Sequence, residues 1–280
     1  MVQRICVCGA GTMGSGIAQA AATAGIQVIL YELNPAILET ASRKMDNVLQ
    51  KLADKGKINA DEKSRILRRI QYSHNLQDCR ADVIIEAVLE NPAVKVSLFQ
   101  QLAEQNSSHT IFATNTSSLS ITGIAQETTF PERIIGMHFF NPAPVMKLVE
   151  VVVTKFTDSL SKSTILQLAK DMGKTPVLCK DSPGFIVNRV ARPFYIESLR
   201  LAEEGIAPER IDTLLESAGF KMGPFRLMDL IGNDINYAVS ESVYEQLGKP
   251  ERLQPSPLQK SKVDKKELGK KSGKGFYNYS

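Results

Sequence analysis

Short runs of β-branched and other apolar residues, each closed by turn-forming residues, recur at Arg4 to Cys8, Gln27 to Tyr31, Asp82 to Glu86, Thr110 to Thr114, Arg133 to His138 and Leu148 to Val153. Helical spacing of apolar positions fills several of the intervals. Runs this continuous belong to strands covered on both faces, and strands alternating with helices predict a mostly parallel, doubly wound α/β sheet. The interval Pro35 to Leu67 is longer than a usual crossover and reads as two charged amphipathic helices around Lys55-Gly56-Lys57, a projecting helical hairpin.

The pattern changes at Asp181-Ser182-Pro183-Gly184, after which no strand-like run appears until Gly275 to Tyr279. Residues 1–184 therefore read as one domain and residues 185–280 as a second, all-helical one. Phe185 to Glu204 is apolar on most faces in its first half, which predicts a helix buried between domains or subunits, kinked at Pro193. Pro208 starts a further helix that Gly219 stops, and Gly232-Asn233 precedes another running to about Gly248.

Composition adds bounds. The 280 residues suit about two domains, and 43% hydrophobic with 23% charged residues is ordinary for a globular chain. The net charge of +4 is concentrated between Lys260 and Lys274, so no nucleic-acid partner is required. That lysine run reads as a solvated face, part of which a phosphate-bearing cofactor or thioester could use. Cys6, Cys8, Cys79 and Cys179 have neither metal-ligand nor disulfide spacing and read as buried thiols of a reducing compartment. A strand begins almost at the first residue, with no charged leader, and no run of eighteen apolar residues follows. The expectation is a soluble, cytoplasmic protein without membrane contact or metal.

Three features carry chemistry. Gly9-Ala10-Gly11-Thr12-Met13-Gly14 follows the first strand and opens a helix rich in small residues. Gly9 permits the tight turn, Gly11 the approach of a pyrophosphate and Gly14 close helix packing, with the helix N-terminus facing the phosphates. The second strand ends at Glu32, eighteen residues beyond Gly14, where a carboxylate bonds a ribose diol. A carboxylate there repels a 2′-phosphate, and Leu33-Asn34-Pro35 supplies no Arg to attract one, so NAD is favoured over NADP. Next, His138 ends a strand, at the carboxyl ends of the strands where ligands of open α/β folds lie, or else is a core histidine bonded to a carbonyl. Finally, Glu150 interrupts the apolar run Leu148 to Val153 and needs a partner, unless that strand is an edge strand with Glu150 facing water. An imidazole would serve, because a carboxylate on one ring nitrogen sets the tautomer and stabilises the cation formed when the other accepts a proton. Asn115-Thr116-Ser117-Ser118 brings hydroxyl and amide groups to the same rim, and Asn188 is either an amide reaching toward the cleft or a structural one.

The glycine loop, Asn115-Thr116-Ser117-Ser118, His138-Phe139-Phe140-Asn141-Pro142, Lys147-Leu148-Val149-Glu150-Val151, Asp181 to Arg189, Gly223-Pro224-Phe225 and Gly273-Lys274-Gly275-Phe276-Tyr277 together resemble the 3-hydroxyacyl-CoA dehydrogenase family. The likeness spans nearly the whole chain and is greatest to the short bacterial members acting on 3-hydroxybutyryl-CoA. It implies a Rossmann-type domain and a helical substrate and dimerisation domain, oxidising L-3-hydroxyacyl-CoA to 3-ketoacyl-CoA with NAD. It also implies His138 as base with Glu150 orienting it, and Ser117 and Asn188 positioning the substrate oxygen. Cofactor contacts are implied at Gly9, Ala10, Gly11, Thr12, Met13, Gly14, Glu32, Glu90, Lys95, Ser117, Asn141 and Lys271. Coenzyme A contacts are expected from the hairpin at Lys51 or Lys55, where this chain departs most from the family pattern, and a homodimer through the helical domain is implied.

Overall fold

The computed structural model describes residues 2–279. The chain divides into two compact units, Met1–Asp181 and Ser182–Ser280, so Ser182 to Gly184 fall on the side of the second unit. The first is built on β1 (Arg4–Cys8), β2 (Gln27–Tyr31), β3 (Ile70–Ser73), β4 (Val83–Glu86), β5 (Ile111–Thr114), β6 (Ile134–Phe139), β7 (Leu148–Val153) and β8 (Thr175–Lys180). They form one sheet in the order β3-β2-β1-β4-β5-β6-β7-β8. The pairing is parallel throughout except between β6 and β7, which run antiparallel.

Two of these strands, β3 and β8, are not among the runs that the apolar pattern predicts, and both lie at the sheet edges. β3 has the mixed sequence Ile70-Gln71-Tyr72-Ser73, and β8 is largely exposed and contains Pro176. Edge strands lose one covering neighbour, so they need no apolar run and tolerate proline. Because β8 covers β7, Glu150 lies inside the sheet and not on its edge. The His138 strand also runs one residue further, to Phe139.

Helices α1 (Thr12–Thr23), α2 (Pro35–Asp54), α3 (Ala60–Arg68), α4 (Pro92–Gln105), α5 (Ile121–Gln126) and α6 (Ser159–Asp171) cover the sheet. Residues alternate between the faces of a strand. Ile5 and Val7, Val83 and Ile85, Ile135 and Met137, and Val149 and Val151 share a core with buried residues of α1, α2, α3 and α6. The hairpin α2–α3 thus seats Leu38, Ala41, Met45, Leu49 and Ile66 in that core, with Lys51 and Lys55 in solvent. The intervening residues, Cys6, Cys8, Glu86, Thr114, His138 and Glu150, face the other side, where α4 and α5 pack. Phe99 of α4 meets Phe112 of β5 edge-on at 5.4 Å. A Cβ on Gly136 would come within 2.3 Å of Ile121, so glycine in β6 lets α5 close onto the sheet two residues before His138.

The second unit contains α7 (Val187–Glu203), α8 (Pro208–Ser217), α9 (Pro224–Ile231), α10 (Asn233–Gln246) and α11 (Pro257–Asp264). Helix α7 continues through Pro193. Its core is Tyr195, Leu199, Ile211, Phe225 and Met228. Buried Asp212 accepts the N–H groups of Phe225 and Arg226 at 2.9 and 3.1 Å, capping α9 from another helix, and the Tyr277 hydroxyl at 2.7 Å. Buried Asp229 accepts the N–H groups of Phe276 and Tyr277 at 3.0 and 2.9 Å. The chain end, expected as strand-like, instead carries isolated bridges pinned by these two carboxylates. Four of the seven lysines in the run pair with carboxylates: Lys260 with Asp264, Lys262 and Lys274 with Glu267, and Lys271 with Asp234. Among the described residues no helix is long and apolar enough to cross a membrane.

Candidate active site

The glycine loop begins where β1 ends, between β2 and β4. Gly9 has φ +101°, and a Cβ there would lie 2.5 Å from the Ala87 carbonyl oxygen; on Gly14 it would lie 1.8 Å from that of Gly9. Both glycines are demanded by the fold itself. Gly11 differs, with φ −66° and nothing within 4 Å of an added Cβ, so neither its backbone nor its packing calls for glycine. The space beside it is what a pyrophosphate would fill. Helices α2 to α6 start with side-chain caps from Asn34, Asn59, Asn91, Ser120 and Asp158, whereas α1 starts at Gly11 with none. Its first N–H groups and partial positive charge are left for an anion. The Glu32 carboxylate accepts the Ala10 N–H at 3.1 Å and the Asn34 N–H at 3.2 Å, which sets it against the same loop. These residues fit a dinucleotide: a phosphate cradle at Gly9 to Gly14 and a diol acceptor at Glu32.

His138 and Glu150 stand directly opposite each other in the antiparallel pair β6–β7. His138 Nδ1 lies 2.7 Å from Glu150 Oε2, and the two residues are 6% and 1% exposed. The carboxylate buried inside the apolar strand therefore has the imidazole as its partner. The Phe140 ring lies 4.6 Å from the imidazole, and Asn115 Oδ1 accepts the Phe139 N–H at 2.8 Å, joining the loop after β5 to the end of β6. Phe140-Asn141-Pro142 leaves the strand here, with Asn141 exposed.

A second buried charge cluster, around Glu86, lies on the same face of the sheet, two strands away. Lys95 of α4, 1% exposed, places Nζ 2.6 Å from Glu86 and 3.0 Å from Glu90. Glu90 accepts hydrogen bonds from the Thr116 hydroxyl and, at 3.2 Å, the Ser117 N–H. Burial pushes the Glu86 carboxyl above its usual range, with Lys95 offsetting only part of the effect. In Glu90 burial acts the same way but is outweighed by Lys95 and the Thr116 hydroxyl, and the carboxyl falls below that range.

Among the residues singled out from the sequence, the first unit thus joins His138 to Glu150, Glu32 to the glycine loop, and Glu90 and Lys95 to Ser117. Lys95 is enclosed by carboxylates, not displayed on a surface. Lys51 closes the last turn of α2 and Lys55 follows it, both exposed. In the second unit, Asn188 sits in the first turn of α7, its carbonyl accepting from Arg192 Nε at 3.0 Å, and the Lys271 ammonium is held by Asp234 at 2.6 Å. Sequence reasoning missed Glu86 and Thr114, although a carboxylate closing the apolar run Val83 to Ile85 is the same signal that exposed Glu150.

Comparison with known proteins agrees with this geometry. Residues 4–182 match the family described as 3-hydroxyacyl-CoA dehydrogenase, NAD binding domain, and residues 184–279 match its C-terminal domain. The chain belongs to the 3-hydroxyacyl-CoA dehydrogenase family. It is 47% identical to 3-hydroxyadipyl-CoA dehydrogenase of Escherichia coli over 99% of its own length, and spans 59% of that longer protein. It is 43% identical to a Bacillus subtilis protein named "Probable 3-hydroxybutyryl-CoA dehydrogenase", covering 99% of this chain and 98% of that one. The crystal structure of (S)-3-hydroxybutyryl-CoA dehydrogenase from Ralstonia eutropha superposes with TM-score 0.95 at 37% identity, covering 100% of both chains.

Proposed function

We propose that this protein reversibly oxidises a short-chain L-3-hydroxyacyl-CoA, 3-hydroxybutyryl-CoA first among them, to the 3-ketoacyl-CoA with NAD. The observation that carries the reading is the buried 2.7 Å pair of His138 and Glu150 on a sheet whose first turn carries an uncapped glycine loop. Bound NAD supplies the acceptor for the hydride leaving C3. His138 Nε2 takes the proton of the C3 hydroxyl, and Glu150 on Nδ1 holds the ring in the tautomer with Nε2 unprotonated, then stabilises the imidazolium. General-base help of this kind contributes roughly 10²- to 10⁴-fold. Ser117 and Asn188 hold the substrate oxygen. The glycine loop and Glu32 hold the pyrophosphate and adenine-side ribose; Glu90, Lys95, Ser117, Asn141 and Lys271 complete the cofactor contacts, Lys95 by whatever donor its two carboxylates leave. Lys51 and Lys55 contact coenzyme A from the hairpin, and the helical unit binds substrate and a second copy of the chain.

The test is the oxidation of NADH with acetoacetyl-CoA, beside free 3-keto acids and ketoacyl-CoA substrates of increasing chain length. Turnover should require the thioester and favour the shortest chain. Turnover confined to free acids, or a higher kcat/KM with NADPH than with NADH, would overturn the substrate or the cofactor assignment respectively.

A further inference from the structure

Glu86 is a fully buried carboxylate to which the chemistry above gives no task. It ends β4, and an ionised carboxylate away from water is stable only with partners. Glu86 has Lys95 Nζ at 2.6 Å, the Val88 N–H at 2.7 Å and the Thr114 hydroxyl at 2.7 Å. Lys95 spans from there to Glu90 at 3.0 Å. Glu90 accepts from the Thr116 hydroxyl, the Ser117 N–H at 3.2 Å and the Ser118 hydroxyl at 3.4 Å. A return path closes the circuit: the Thr114 hydroxyl oxygen, donating to Glu86, accepts the Thr116 N–H at 3.2 Å. Asn115 adds its own N–H to the Glu86 carbonyl at 2.8 Å and accepts the N–H of Phe139, the residue after His138.

The members of this circuit differ in exposure. Glu86 is anchored in the sheet, whereas the Glu90 side chain is 39% exposed and lies in the loop before α4. Lys95 is long and flexible by nature, and its bond to Glu86 ties its ammonium, and through it Glu90, to the sheet.

We propose that Glu86 is a positioning residue that holds the Ser117 loop in register with the His138 strand end, acting through Lys95 and Glu90 on one side and Thr114 on the other. The inference rests on the roles given above to Ser117 and His138. It explains why two carboxylates share one lysine: Glu90 meets the loop, and Glu86 ties the lysine to the sheet.

Glu86→Gln keeps the shape and removes the charge. In acetoacetyl-CoA reduction it should lower kcat about tenfold, since small misplacements of a positioning group are costly. Combined with Ser117→Ala it should lower kcat no further, because the two act as a unit. Hydrogen exchange on the protein alone should speed up at residues 115–118 and stay unchanged in β7. An unchanged kcat with a lower melting temperature, losses that multiply in the double variant, or unaltered exchange at residues 115–118 would each overturn the proposal. Should Glu86→Gln fail to fold, Thr114→Val, which deletes only the hydroxyl bridge, is put through the same three measurements, and the same outcomes support or overturn the proposal. No turnover by the wild-type protein sinks the dehydrogenase reading and this inference together; turnover by wild type with additive variants sinks this inference alone.

Discussion

At the scale of single residues, the molecule keeps its buried charges by pairing them. Glu150 is 1% exposed within an apolar strand, and its position across the ladder from His138 is what makes that burial tolerable. Glu150→Gln preserves the shape and a hydrogen bond while removing the charge that favours the imidazolium. Alcohol oxidation by this variant should lose roughly 10²-fold in kcat, within the range for impaired general-base function, with the KM for cofactor little changed. Near-normal turnover together with a lower unfolding midpoint would make Glu150 a structural residue. The glycine loop permits a sharper contrast. Gly14→Ala forces a methyl group to 1.8 Å from a backbone oxygen and should lower the melting temperature. Gly11→Ala meets nothing within 4 Å in the protein, so its melting temperature should match wild type while NADH affinity, read by fluorescence titration, falls by about tenfold or more. Equal NADH affinity in Gly11→Ala would remove the phosphate-cradle reading.

At the scale of elements, the legible and illegible parts of the chain separate by burial. Central strands such as β1 and β4 are covered on both faces and print an unbroken apolar run, whereas β3 and β8 lie at the edges and print polar residues and a proline. The start of the short helix α9 shows no side-chain cap in the neighbouring sequence, because its cap is Asp212 from α8. The chain end is likewise ordered from a distance. Glu267 takes Lys262 at 2.7 Å and Lys274 at 2.6 Å, and these bonds lower its carboxyl to about 2 from 4.5. A lowered folded-state value means a contribution present above the ordinary carboxyl range and lost as the group is protonated. Glu267→Gln should therefore melt below wild type at neutral pH, and the gap should narrow as pH falls from 4.5 toward about 2. A gap independent of pH would mean that the pairing with lysine is not what Glu267 contributes.

At the scale of the whole molecule, the second unit displays more apolar surface than a small helical body conceals. Val190 is 72% exposed and Leu214 66%, and Phe220, Leu230 and Ile235 are about half exposed. Apolar surface of this kind marks contact with another protein surface, and a second copy of the chain is the proposed occupant. Sedimentation equilibrium at micromolar concentration should return the mass of a dimer; a monomer there would contradict it.

Periodicity and local chemistry were enough to place six strands, the hairpin, the glycine loop with Glu32, and the need of Glu150 for a partner, because each depends on residues close in sequence or on a burial pattern visible in one strand. Which residues meet was decided only in three dimensions. The antiparallel turn of β7 puts Glu150, twelve positions away, opposite His138, and strand alternation puts both on the face that also carries Glu86 and Thr114. Lys95 would pass in sequence for a surface lysine on a helix; the fold encloses it between two carboxylates. The reason is physical: the apolar pattern sets which side of an element is buried, but the partner of a buried charge is set by sheet order and register, which local sequence does not record.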